Sequence, residues 1–249
     1  MNICMTTLPT TTLDAWRNVV TDGDADSEQL RRRIAAQPRA PEVQLWLVRH
    51  GETTTNAAGI MTGTTEAPLN VTGRLQAQEA GRSIAGHGFD IAFHSHLDRT
   101  RESLELMTRA GGLNIACIAE DDRIAERHLG ELERMPIRPR DPRLAVDLAL
   151  APTGGESYLA LTRRCLSFLL DLRRLAAALG RPLSVLISTH QGPLRVLAGI
   201  LEETADPGEM RERHIGNSIV LRATMGELAW PAFAGGPPPP LPDEPGGAA

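Results

Sequence analysis

Lysine is absent from this chain: all 26 of its basic residues are arginine. Schiff-base and ammonium-based catalysis are thereby excluded. Acidic residues number 31, so the formal net charge is −5. A chain without a basic excess has no means of displacing counterions as a general nucleic-acid binder does. Aromatic residues are few, eight in all. Four Phe and one Tyr offer no stacking platform for single strands. The three cysteines, Cys4, Cys117 and Cys165, are odd in number and far apart. With no C-x-x-C pair they form neither a disulfide framework nor a zinc site, and they fit a reducing, cytoplasmic setting. No apolar run approaches the length of a membrane span. The opening Met-Asn-Ile-Cys-Met-Thr-Thr-Leu lacks the basic and apolar regions of a signal peptide.

What the chain does have is an ordinary soluble composition, 41% hydrophobic and 23% charged over 249 residues, enough for a full core. Residues 1–42 read as an N-terminal extension. Within it 13–20 and 29–36 could be short helices, separated by an Asp-rich link at 22–26. Asp26 followed by Gln29 is a capping-box pattern. Arg31-Arg32-Arg33 reads as a solvated helix face, with docking as the alternative. From 43 to 230 strands and helices alternate. Strands are expected at 43–48, 90–95, 114–119, 183–188 and 218–221, and helices at 72–86, 98–110, 156–179 and 194–201. This pattern predicts an α/β fold: a three-layer αβα sandwich on a mostly parallel sheet. Residues 231–249 are rich in Pro and Gly and read as a disordered tail.

The apolar run Val43-Gln44-Leu45-Trp46-Leu47-Val48 opens into Arg49-His50-Gly51. Ligands of open parallel sheets bind at such carboxyl ends of strands. Arginine presents a donor fork that matches phosphate. Histidine can carry a phosphoryl group covalently near neutral pH. The pairing points to transfer through a phosphohistidine. Residues 47–63 in full, Leu-Val-Arg-His-Gly-Glu-Thr-Thr-Thr-Asn-Ala-Ala-Gly-Ile-Met-Thr-Gly, resemble the signature of the histidine phosphatase superfamily, which includes cofactor-dependent phosphoglycerate mutases and broad acid phosphatases.

The resemblance spans about 43–225 in four ordered blocks, and it implies a phosphoglycerate mutase-like fold and a set of site residues. In the first block His50 is the nucleophile and Arg49 a phosphate ligand, with Asn56, Thr62 and Gly63 lining the substrate site. The second, from Ser95 to Ser103, supplies Arg99 as another phosphate ligand at a helix start. Arg101 lies about 200° round that helix and faces solvent. His94 and His96 match nothing in the family and read as surface or loop histidines. The third, Glu126-Arg127-His128-Leu129-Gly130, supplies Glu126 as proton donor, with Arg127 and His128 supporting the loop. The fourth, Ser188-Thr189-His190-Gln191-Gly192-Pro193-Leu194-Arg195, places His190 on the transferring oxygens with help from the Gln191 amide. Thr153-Gly154-Gly155-Glu156-Ser157 matches a further family element but reads on its own as a helix start. Neither a metal nor an organic cofactor is expected, since arginines stand where many such sites use a metal clamp.

The activity implied is a phosphomonoesterase acting on a small-molecule phosphate ester, with no nucleic-acid or membrane partner and a homo-oligomer left open. Two alternatives share the chemistry: a phosphoglycerate mutase-type isomerase and a phosphoprotein phosphatase. A mutase resembling this family carries a Lys after the third block and an Arg-Arg pair beyond it. This chain has Leu132-Glu133-Arg134-Met135-Pro136-Ile137 there, and its Arg138, Arg140 and Arg143 are not adjacent. A non-catalytic binding module would be expected to lose His50 or Glu126, and both are present.

Overall fold

Strand β1 (Val43–Arg49) buries Val43, Leu45 and Leu47 on one face and Val48 on the other, where Gln44 and Trp46 are half-buried. Val43, Leu45 and Leu47 enter one core cluster, while Val48 enters a second. Strands β3 (Ile91–His94) and β6 (Leu183–Thr189) divide their side chains in the same way. A sheet apolar on both sides must be covered on both, which is the layered arrangement the sequence predicts. The computed structural model describes residues 11–20, 26–137 and 147–234. The Pro-rich run from Gly235, Cys4, the 22–25 link and Arg138, Arg140 and Arg143 lie outside them.

With β5 (Ile118–Glu120) and β7 (Val220–Met225) the sheet runs β5-β3-β6-β1-β7. It is parallel except for β7, which returns antiparallel beside β1. The central pair, β1 and β6, is in register from Val43 with Leu183 to Arg49 with Thr189. Helices α4 (Val71–Ser83) and α5 (Asp98–Gly111) cover one face through Ala77, Ala80, Leu104 and Met107. On the other face lie α6 (Tyr158–Leu179) and α7 (Gln191–Leu201). Short elements complete the chain: α3 (Thr54–Ala57), α8 (Pro207–Glu212) and a separate parallel pair, β2 (Gly88–Phe89) with β4 (Asn114–Ile115).

Three expectations need correction. The single strand read at 114–119 is two, β4 and β5, because Ala116 N bonds the Phe89 carbonyl and turns the chain between two partners. The start of the expected tail is packed: Phe233 sits in the main core, on a 3-10 turn over Ala232–Ala234. The arginine triplet is not uniformly solvated. Helix α2 (Ser27–Ala35) is opened by the Asp26/Gln29 capping box and docks on α6. Arg33 reaches the fully buried Asp171 at 2.6 Å and Ser167 at 2.8 Å. Arg32 alone pairs outward, with Glu28. Sequence pattern could not show this, because the partner carboxylate lies on a distant helix.

Helix α1 (Thr12–Val19) docks beside it. Trp16 meets Phe93 and Phe168 edge-on at 4.8 and 5.8 Å between ring centroids, and Ala15 and Leu30 are fully buried. The N-terminal helices therefore complete the core on the α6 side of the sheet. Among the described residues no helix is long and apolar enough to cross a membrane. Truncating a buried aromatic removes both transfer energy and packing. Trp16→Ala should thus cost about 3–5 kcal/mol in urea unfolding. An unchanged midpoint and slope would mean that α1 does not dock on the domain in solution.

Candidate active site

The β1 and β6 ends deliver His50 and His190 to one rim. His50 N bonds the Thr189 carbonyl at 2.9 Å, extending the parallel ladder by one step. The two imidazole centroids are 5.1 Å apart. The turn after His50 is tight because Gly51 lies against the Gly73 carbonyl of α4, where a Cβ would collide. Gly51 N is held by Ser103 Oγ at 3.0 Å, and Asn217 Nδ2 holds the His50 carbonyl at 2.9 Å.

His50 Nδ1 lies 2.7 Å from the Gly51 carbonyl. A carbonyl only accepts, so Nδ1 carries the hydrogen and Nε2 keeps its lone pair. His190 has the opposite tautomer. Its Nδ1 accepts from Arg99 Nε at 3.2 Å, so its Nε2–H donates to Ser95 Oγ at 2.8 Å. Burial, reinforced by the charges of Arg99 and Arg49, holds His50 well below the usual histidine range. Burial and then Arg99, followed by His50, Arg164 and Arg49, do the same for His190. Both rings are therefore neutral at physiological pH.

Arg99, in the first turn of α5, is fixed by its fork. Nη1 donates to the Thr65 carbonyl at 2.9 Å and Nη2 to the Gly63 carbonyl at 2.7 Å. Arg49 donates through Nη1 to the Ile215 carbonyl at 3.0 Å, and its buried Nε has no protein partner. Burial draws the Arg49 guanidinium down to about 10, against the pull of Glu126 and with the push of Arg195 and Arg99. It stays charged at neutral pH. Opposite lies Glu126, whose Oε1 accepts from Arg127 N at 2.8 Å and Gly192 N at 3.1 Å. Gly192 sits at the start of α7, where a Cβ would push the Glu126 carboxylate away from the Gly192 N–H.

These groups border a cleft of about 120 Å³. Of the residues expected from sequence, Arg49, His50, Asn56, Thr62, Gly63, Arg99, Glu126 and Gln191 line it. Asn56 also bonds Thr53 N in a capping box, and Thr62 Oγ1 bonds Thr55 Oγ1, so both are anchored from behind. His190 does not line the cleft. It is fully buried behind Arg99. Arg101 is solvent-exposed and pairs with Asp98 and Glu105. His96 is a surface residue beside Asp122, whereas His94 is buried and bonds the Ser95 carbonyl. No group of three or more potential metal-ligating side chains occurs among the described residues.

The sequence reading missed Tyr158 and Arg195 on the cleft wall and gave Arg127 only a supporting part. Arg127 stacks over the Tyr158 ring at 4.4 Å. Arg195 follows His190 within the same block and could have been found by projecting α7, which turns it to the cleft side. Tyr158 carries no local signal, because only the packing of α6 under the Glu126 loop brings it there.

A family model described as "Histidine phosphatase superfamily (branch 1)" matches residues 45–230. The 2,3-bisphosphoglycerate-dependent phosphoglycerate mutase 2 of Gloeobacter violaceus is 29% identical over 161 residues, covering 61% of this chain and 73% of that protein. A probable phosphoglycerate mutase, GpmB, of Yersinia enterocolitica is 30% identical over 165 residues, 60% of this chain and 75% of its own. Among solved structures, a mycobacterial glucosyl-3-phosphoglycerate phosphatase in complex with VO3 superposes with a TM-score of 0.57 at 21% identity, over 72% of this chain and 90% of that one. A likeness at that identity is one of fold.

The buried neutral histidines fix a pH dependence. In the unfolded chain each protonates near 6.5, while in the folded chain each resists until well below it. As pH falls below 6.5 the unfolded state binds more protons and stability declines, by up to about 1.4 kcal/mol per pH unit for each histidine. Urea melts at pH 7.5 and 5.5 should show this loss, and a His50→Asn/His190→Asn double variant should show less of it. Equal losses in both proteins would contradict the burial of neutral rings.

Proposed function

The chain belongs to the histidine phosphatase superfamily, and from that premise we propose that it is a phosphomonoesterase. It hydrolyses a small phosphorylated metabolite through a phosphohistidine on His50. One observation carries the reading: the Nδ1 bond to the Gly51 carbonyl leaves Nε2 of a neutral His50 as a free lone pair beside Arg49 and Arg99, with Glu126 on the same cleft.

The reaction follows from those positions. The ester phosphoryl group lies against Arg49, whose buried Nε gains an acceptor, and against the N–H groups of Arg99 not spent on the Gly63 and Thr65 carbonyls. His50 Nε2 attacks phosphorus, the P–O ester bond breaks, and Glu126 gives its proton to the leaving alkoxide. The N–P bond leaves His50 cationic while Nδ1–H still bonds Gly51. Water then attacks phosphorus, Glu126 takes a proton from it, and the N–P bond breaks to return neutral His50. Arginines already in place stabilise the charge that spreads over the phosphoryl oxygens, at no cost in reorganisation. His190 holds Arg99 from behind, its Nδ1 accepting from Arg99 Nε.

The mutase reading has its own support. Two relatives bear that name, and Arg127 and Arg195 add cations beyond the phosphoryl cage. Against it stands the stretch Leu132–Ile137, without the lysine expected of such a site. The reducing cytoplasm expected from the cysteines is its setting under either reading.

The purified protein, assayed on a panel of phosphate monoesters and a phosphopeptide, should release inorganic phosphate fastest from a small ester. It should convert little 3-phosphoglycerate to 2-phosphoglycerate when 2,3-bisphosphoglycerate is present, and EDTA should leave the rate unchanged. Rapid interconversion of the phosphoglycerates with negligible phosphate release would establish the mutase instead. Fastest release from the phosphopeptide would shift the substrate class. Loss of activity to EDTA, restored by a divalent ion, would overturn a metal-free mechanism.

A further inference from the structure

In sequence Thr153-Gly154-Gly155-Glu156-Ser157 is a helix start, and Ser157 does cap α6, accepting from Ala160 N at 3.1 Å. Glu156 has a separate part. Helical side chains lean toward the N-terminus of their helix. Arg164, within α6, therefore reaches back along it to the capping loop. Its Nε donates to Glu156 Oε1 at 2.7 Å and its Nη2 to Oε2 at 2.9 Å, a two-pronged pair. The same guanidinium continues across to another segment. Nη1 donates to the Arg123 carbonyl at 2.8 Å and Nη2 to the Glu126 carbonyl at 3.2 Å.

Arg164 thus grips the backbone on both sides of the stretch that ends in Glu126. The remaining bonds run the same way. Glu156 N donates to the His128 carbonyl at 2.8 Å, Arg127 Nη1 to the Glu156 carbonyl at 3.1 Å, and Glu131 N to the Thr153 carbonyl at 3.0 Å. Thr189 Oγ1, from the end of β6, holds the Ile124 carbonyl at 2.6 Å. Both members of the pair are mostly buried, their side chains 15% and 17% exposed, and neither lines the cleft. An ion pair that joins a helix to its neighbour would need only the fork. Here the fork is oriented by Glu156 and used on the main chain of the proposed acid.

We propose that Glu156 and Arg164 are positioning residues for proton donation: Glu156 orients the Arg164 fork, and the fork fixes the Glu126 backbone so that its carboxyl faces the leaving oxygen. The inference rests on Glu126 being the acid. A misplacement of about 1 Å in a reacting group costs on the order of 10²-fold in rate, so the effect belongs in the chemical step and only where that step needs the proton.

Leaving-group dependence separates this from general support of the fold. Single-turnover phosphorylation of the protein would be followed with an alkyl phosphate, whose alkoxide needs the proton, and with 2,4-dinitrophenyl phosphate, whose phenolate does not. Glu126→Gln should slow the alkyl ester by about 10²–10⁴-fold and spare the dinitrophenyl ester. Glu156→Gln and Arg164→Lys keep the side-chain volume while losing the charged fork. They should slow the alkyl ester by about 10–100-fold, leave the dinitrophenyl ester within about 3-fold, and melt cooperatively. If E126Q discriminates between the esters but E156Q and R164K lower both equally or neither, the pair only supports the fold and the inference is wrong. If E126Q itself fails to discriminate, the proton donor is another group, and the inference falls with that reading of Glu126.

Discussion

The site depends on the parallel, in-register pairing of β1 with β6. That pairing sets Arg49 opposite Thr189 and lets His50 N bond the Thr189 carbonyl, so that two strand ends release their histidines at one level. A slip of one residue would turn Val43, Leu45 and Leu47 away from the α6 side and would carry His50 with them. The hydrophobic alternation of the two strands, which fills a core on each face, is thus also what fixes the distance between the imidazoles. Packing and the candidate site share one register.

Around that pair the protein gathers positive charge in a buried place. Arg49 and Arg99 flank two histidines, and their fields, added to burial, keep both rings unprotonated. The combination serves one purpose well. A neutral imidazole is a nucleophile, and guanidinium groups favour an incoming dianion. An orphaned buried donor costs about 1–3 kcal/mol. Small hydroxyl residues satisfy several groups around the pair. Ser103 Oγ takes Gly51 N and donates to the Arg99 carbonyl, Ser188 Oγ donates to the Thr100 carbonyl, and Ser95 Oγ joins His190 to Thr100. The buried Arg49 Nε has no protein partner.

Much of this was legible in the sequence, for reasons of locality. The apolar run ending in Arg49-His50-Gly51 declared a strand, and it opens onto the cleft; Asp26 with Gln29 declared the start of α2. Such signals lie within one element. What the sequence hid depends on chain segments far apart. Nothing near Arg33 announces Asp171, so a buried ion pair was read as a solvated face. The resemblance sets His190 on the transferring oxygens, whereas Ser95, after β3, and Arg99, in the first turn of α5, hold its ring behind the arginine. Glu156 looked like part of a helix start because its partner, Arg164, comes back to it only after α6 has formed. The turn at Ala116 divided one expected strand because Phe89 competes for its amide.

The central claim is that the free Nε2 of His50 takes the phosphoryl group. The most direct measurement is to mix the protein with a ³²P-labelled phosphomonoester, quench within one turnover and map the label. Acid-labile, base-stable phosphate should appear on His50, bonded at Nε2, and none on a His50→Ala protein. Turnover that persists in the His50→Ala protein, or label found on His190 or on a carboxylate, would contradict it.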